Sequence, residues 1–234
     1  MLDAVNSALN QTLPRNEYEI IVVKNFEDEN IDRFLEEHSV RNIIVKEEPL
    51  SAKIVKGVEE SRGEVISFLE DDDLWLPQKL EIVKQVFKDK DVIYYHNNFY
   101  NFNKFSSLSL LIDRIQSSNI RSKISKLKIY DMKNDLFPKM NNSSIAVRKK
   151  IFNKNILDKI KNVSISVDAL LYYLAYCHGG DFVFDDNVSH TVFFWESIDI
   201  FIFKSFTTII LYSFFGDVWF RAELTASNTP HYEQ

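Results

Sequence analysis

The chain is poor in the residues that usually punctuate or cross-link a fold. It has one cysteine, five glycines and five prolines among 234 residues. Cys177 alone cannot form an intramolecular disulfide, and no Cys/His cluster with zinc spacing is present. A lone thiol fits a reducing, cytoplasmic compartment. With so little Gly and Pro, turns must rest on Asn, Asp and Ser. Lys and Arg are dispersed and the net charge is −6, so no nucleic-acid partner is expected. No repeat or low-complexity segment stands out. No secretory leader is expected, and the Asn-x-Ser/Thr triplets at Asn10, Asn142, Asn162 and Asn187 read as chance. A clear membrane span is also lacking. The most apolar segment, 198–220, has 17 residues between Asp199 and Asp217, interrupted by Lys204. A span needs roughly 20. A helix packed on the domain, or lying at the inner face of the cell membrane, suits this segment better.

What is present argues for a packed core. The chain is 45% hydrophobic and 26% charged. Residues 2–13 place Val5, Ala8, Leu9 and Leu13 on one helical face, with Pro14 just beyond. Strands are predicted at 18–24, 42–46, 64–69 and 91–96, and helices at 30–38, 51–63 and 77–89. Gly63 is placed to end the second of these helices, and Pro77 to start the third. Strands alternating with helices predict an α/β fold with a mostly parallel, doubly wound sheet. The alternation stops near residue 100. Beyond it, 97–140 reads as helices and loops, 142–152 as a strand leading into a turn, 166–180 as a helix closed by a Gly pair, and 181–195 as extended. Cys177 is expected to be buried in its helix.

Residues Glu70 to Asp73 place four carboxylates straight after the apolar run 64–69. Like charges this close need water, a helix N-terminus or a cation. The next helix begins at Pro77, so the acids lie outside its first turn and the dipole explains them poorly. Ligands of doubly wound sheets bind beyond the C-terminal ends of strands. A hard cation such as Mg²⁺ or Mn²⁺, shared between carboxylates and phosphate oxygens, suits the position.

"VNSALNQTLPRNEYEIIVV" and "LSAKIVKGVEESRGEVISFLEDDDLWLPQKL" resemble the inverting family 2 glycosyltransferases of the GT-A fold. The likeness runs almost continuously over 2–95 and continues thinly through "NNSSIAVRKKIF" and "SVDALLYYLAYCHGG". It implies a nucleotide-sugar-binding half at 1–100, an acceptor-binding half at 101–195 and an apolar, helical C-terminal tail at 196–234. It implies transfer of a sugar, with inversion, from a nucleotide-diphosphate sugar to a hydroxyl of a glycan or lipid-linked acceptor. Asp71, Asp72 and Asp73 stand at the family's D-x-D element. One carboxylate is expected near the ribose and the others at the metal and diphosphate. Asp71 is taken for the nucleotide and Asp72 and Asp73 for the metal, a division the residues themselves leave open. Lys53 stands where a basic residue meets the nucleotide, and His190 where a late His approaches the diphosphate, so it is counted with Asp72 and Asp73 for the metal. Asp168 stands at the family's general base, with Val167 in place of the usual Glu. The bland alternative makes Asp168 a first-turn acid beside a Ser166 cap.

The chain departs from the pattern at the turn after the first strand. The acidic "DDGS" reads Lys24, Asn25, Phe26 and Glu27, so the base contact falls to Asn25 or moves to Glu27 or Asp28. A degenerate nucleotide-sugar-binding module without turnover is therefore the rival reading. A nucleotidyltransferase would bring a Gly-rich phosphate loop, and none is present. The family's opening strand, with its loop about 15 residues long, is also missing before Leu2. An incomplete sheet, gapped or patched between 18–24 and 64–69, is expected, together with impaired nucleotide binding. The functional protein is expected to begin upstream.

Overall fold

The computed structural model describes residues 1–46, 49–102, 121–125, 141–161, 167–185, 191–194 and 208–209. In chain order the helices are α1 (Leu2–Leu9), α2 (Glu29–Glu37), α3 (Leu50–Glu60), α4 (Lys79–Val86), α5 (Lys154–Ile160) and α6 (Val167–His178). The strands are β1 (Ile21–Lys24), β2 (Arg41–Ile44), β3 (Val65–Ser67), β4 (Leu69–Glu70), β5 (Leu74–Trp75) and β6 (Val92–Asn97). They continue with β7 (Tyr100–Phe102), β8 (Arg121–Ser125), β9 (Ile145–Arg148), β10 (Asp181–Asp185), β11 (Thr191–Phe194) and β12 (Thr208–Ile209).

Local chemistry sets the helix ends. Asp28 caps α2, accepting from the N–H groups of Asn30 and Ile31 at 3.0 Å. The third helix stops earlier than expected. Its Ser61 returns its hydroxyl to the Val58 carbonyl at 2.9 Å, so Gly63 lies beyond the end. Residues 77–78 form a turn, and α4 proper starts at Lys79. At the Gly pair after α6 the glycine is obligatory. Gly180 has a φ of +135°, and a Cβ there would meet the Asp91 carbonyl oxygen at 2.8 Å. Cys177, expected buried, is exposed, because α6 turns its core face to Leu170, Leu171 and Leu174 instead.

A four-stranded sheet has the order β2-β1-β12-β4, and a five-stranded one the order β3-β9-β6-β10-β8. Only Phe68 separates β3 from β4, so one line of chain joins the two sheets. β1 is parallel to β2, and β6 to β10. β12 runs antiparallel to both β1 and β4, which makes those two parallel to each other. β9 runs antiparallel to both β3 and β6, which aligns those as well. The parallel strands therefore end on one edge of the sheet. The antiparallel β9 breaks the simple alternation read from sequence. It also places strands from either side of residue 100 in one sheet. β1, β6 and β9 are buried throughout, as strands covered on both faces are.

Packing differs across the sheet. Behind β6 and β10, Tyr94 meets Tyr172 edge-on at 5.5 Å and Phe182 at 5.2 Å, all nearly inaccessible to solvent. The junction of β1 and β4 is held by β12, which pairs with only Val22, Val23, Leu69 and Glu70. Beside the preceding residues lies a cavity of about 550 Å³, lined by Ile20, Ile21, Val65, Ile66, Val83 and Phe87 among others. Thr208 and Ile209 thus form a strand where a helical tail was expected. Unpaired backbone on β1 and β4 favours such pairing over helix. The rest of 196–234 lies outside the described residues. Among those described, no helix is long and apolar enough to cross a membrane.

Candidate functional site

The shared strand edge gathers the chemistry. β4 ends in Glu70, and the Asp73 N–H donates back to the Glu70 carbonyl at 3.2 Å, closing the acidic turn. The turn divides its carboxylates: Asp71 is half-buried, Asp72 exposed and Asp73 fully buried. Glu70 faces the short helical turn Asn142–Ser144 that precedes β9. Its N–H donates to the Ser143 Oγ at 2.9 Å, and its Oε1 accepts from the Asn142 Nδ2 at 3.0 Å. The Ser143 carbonyl accepts from the Trp75 indole N–H at 2.9 Å, so Trp75 anchors the site as well as packing beside it.

The same turn reaches Asp168. The Asn141 N–H donates to the Asp168 Oδ2 at 3.1 Å, and the Ala169 N–H to its Oδ1 at 2.8 Å. Residues about 100 positions apart in the chain, the acidic run and Asp168, thus share one turn of backbone. Burial pushes the Glu70 carboxyl up to about 7. The Asn142 amide opposes this, and the charges of Asp72, Asp168 and Asp71 add to it. Burial also raises Asp168, although three backbone N–H groups, those of Ala169, Asn141 and Asp168 itself, pull the other way. Asp72 is exposed, yet its carboxyl is still raised by the protein volume packed around it.

At the end of β1, the structure joins two of the expected nucleotide contacts. The Lys53 Nζ, on the buried face of α3, donates to the Asn25 Oδ1 at 3.1 Å. Lys24, fully buried, pairs with Asp32 at 2.7 Å and donates to the Phe26 carbonyl at 2.5 Å. Asp28, a candidate for the displaced base contact, is committed to capping α2. Glu27 is exposed. His190 lies outside the described residues.

The donor set is all oxygen, which fits a hard divalent cation rather than zinc or copper. Burial is the main reason the Glu70 carboxyl is raised, and the neighbouring acids Asp72, Asp168 and Asp71 add to it. Among the described residues, no three His, Cys, Asp or Glu side chains converge as a complete ligand set. A magnesium-type cation commonly takes only one or two protein carboxylates and completes its shell with water and ligand phosphate oxygens.

The sequence assigns no separate role to Glu70 within the acidic run, and none to Asn141, Asn142 or Lys79 at the site. Glu70 sits in the run that drew attention, but the D-x-D pattern was laid one residue later. The Asn-Asn-Ser-Ser cluster before an apolar strand is a turn signal that could have been given a role.

Parallel strands ending together at a carboxylate turn, with a second acid at a helix start beside them, describe a GT-A domain. The sequence model of glycosyl transferase family 2 matches residues 1–159, and the chain belongs to that family. Solved structures share the fold. S. aureus TarS 1–349 in complex with UDP-GlcNAc has a TM-score of 0.63 at 12% identity, covering 85% of this chain and 55% of that one. S. aureus TarS has a TM-score of 0.62 at 12% identity, covering 83% and 34%. The 1–349 form in complex with UDP has a TM-score of 0.59 at 13% identity, covering 83% and 56%. This chain therefore spans little more than half the length of these structures, or less. Comparison with curated protein sequences gave no match.

Proposed function

We propose that this chain is an inverting glycosyltransferase that moves a sugar from a nucleotide-diphosphate sugar to an acceptor hydroxyl. The observation that carries this is the Asn141–Ser144 turn, which holds Glu70 and Asp168 at one strand edge. Asp168 acts as general base, taking the acceptor proton from the hydroxyl as that oxygen attacks the anomeric carbon. A carboxylate raised by burial is a stronger base at neutral pH than an ordinary surface Asp. Its two hydrogen bonds to backbone fix its direction. Asp72 and Asp73, with Glu70 beside them in the same turn, would hold Mg²⁺ or Mn²⁺, and Asp71 would face the nucleotide. The cation, when bound, offsets the charge of the departing nucleoside diphosphate. Asn25 and Lys53 lie toward the nucleotide, and His190 is a further candidate at the diphosphate.

The donor is a nucleotide sugar, and the UDP-sugars are the first to try, because TarS was crystallised with UDP-GlcNAc and with UDP. The acceptor is a glycan or a lipid-linked sugar. Segment 198–220 provides peripheral contact with the inner face of the cell membrane, in the cytoplasm. One observation favours the rival reading of a binding module without turnover. Lys24, buried and paired with Asp32, stands where the family keeps an acidic turn.

Turnover separates the two. A panel of nucleotide sugars with Mn²⁺ is assayed for release of nucleoside diphosphate, and the product's anomeric configuration is read by NMR. Acceptor-dependent release with inverted configuration is expected. Binding of a nucleotide sugar without release would establish the module instead, and a retained configuration would remove the mechanism.

A further inference from the structure

Lys79 stands in the first turn of α4, fully buried behind the acidic turn. A buried ammonium is costly unless its protons are bonded. Lys79 Nζ donates to the Asn97 Oδ1 at the end of β6, and to the Ser144 carbonyl at 3.1 Å. The rings of Tyr95 and Trp75 wall it at 5.1 and 6.0 Å. The Tyr95 hydroxyl donates to the buried Asp185 at 3.1 Å, which places a carboxylate in the same cluster. Burial lowers the Lys79 ammonium to about 7, and the charge of Asp185 opposes that shift.

Ser144 closes the turn on which the site depends. Each residue of that turn is tied elsewhere: Asn141 to Asp168, Asn142 to Glu70, Ser143 to Glu70 and Trp75, and Ser144 to Lys79. Asn141 adopts a left-handed φ of 62°, a conformation that costs energy and persists only when its surroundings hold it. Glu70 and Asp168 repel each other, so a loosened turn would let them part. We propose that Lys79 is a positioning residue that fixes the Asn141–Ser144 turn and, through it, the spacing of Glu70 and Asp168. This role rests on the reading of the two carboxylates as parts of one transferase site.

Lys79→Met, Asn142→Ala and the double variant test it, since Met keeps the volume and removes the charge and both bonds. Two readouts are taken: backbone amide exchange and steady-state sugar transfer. In Lys79→Met, exchange at the N–H groups of Asn141 and Glu70 should accelerate at least tenfold, while the amides of α3 and α6 keep their parent rates. The transfer kcat should fall more than tenfold with donor KM within twofold, and the double variant should be no slower than the slower single one. Unchanged exchange at Asn141 and Glu70, acceleration spread evenly over the domain, or losses that multiply in the double variant would each overturn the role. A parent protein that transfers no sugar overturns the transferase reading, while the exchange arm still decides the role of Lys79. Should Lys79→Met not fold, Lys79→Gln is taken through the same two readouts with the same deciding outcomes.

Discussion

The two sides of the site are built to different standards. On the Asp168 side, β9 lies between β3 and β6 with paired residues on both edges, and aromatic rings fill the space behind. On the side proposed for the nucleotide, β1 and β4 are bridged by two residues of β12, and a cavity of about 550 Å³ adjoins them. The first arrangement holds Asp168, the proposed general base, by two backbone hydrogen bonds. The second leaves the strand that ends at Lys24 and Asn25 with a partly supported edge. Asp168 and the acidic turn are therefore preorganised, while the end of β1, proposed to meet the nucleotide, is the side on which stability can be gained.

The largest expected effect lies on the well-built side. Asp168→Asn should lower the single-turnover transfer rate by about 100- to 10,000-fold, the usual contribution of a general base. Its melting temperature should stay near that of the parent. A variant that melts early while its folded fraction turns over normally would make Asp168 a helix-start acid only. Next in size is a packing comparison. Phe182→Ala, in the aromatic cluster, should cost about 3–5 kcal/mol in denaturant titration. Ile21→Ala, beside the cavity, should cost about 2 kcal/mol, at the low end for such truncations, because one flank is already open. Equal losses would erase the difference between the two sides.

Acidity gives a smaller signal with a definite sign. Glu70 titrates near 7 in the fold and near its ordinary 4.5 when unfolded, so the native state binds the extra proton between those values. Stability should therefore fall as pH rises from about 4.5 to 7 and level off above, by at most about 3 kcal/mol. Glu70→Gln should flatten this slope, and Mn²⁺ should offset it by favouring the charged carboxylate. A slope unchanged in Glu70→Gln would assign the effect to other groups. The smallest expected effect concerns the bridge. Thr208→Pro removes a donor from β12 and should cost about 1–3 kcal/mol. No loss would mean that β12 contributes nothing to the junction.

Much of this was legible in the sequence, for identifiable reasons. The buried runs of β1 and β6 have no polar alternation to confuse them, and the acids after β4 interrupt an apolar strand abruptly. Asp168 was found through family resemblance, since a single acid at a helix start carries little signal of its own. The contacts that join it to Glu70 were not legible. They depend on β9 running antiparallel between two parallel strands, which no local pattern encodes. Nothing local in the sequence marks Lys79 as buried, and only the three-dimensional meeting of α4, β6 and the 142–144 turn buries it. β12 escaped notice because a Phe- and Ile-rich tail suits helix and strand alike, and pairing edges decided between them.

The central claim is that the acidic turn and Asp168 form one site with separate duties, one holding the cation and diphosphate and the other the proton. The most direct measurement is calorimetric titration of a nucleoside diphosphate into parent, Asp72→Asn and Asp168→Asn proteins, each with and without Mn²⁺. The parent should bind only with Mn²⁺, Asp72→Asn should lose that Mn²⁺-dependent binding, and Asp168→Asn should keep it. Binding that ignores Mn²⁺, or that falls equally in both variants, would contradict the division.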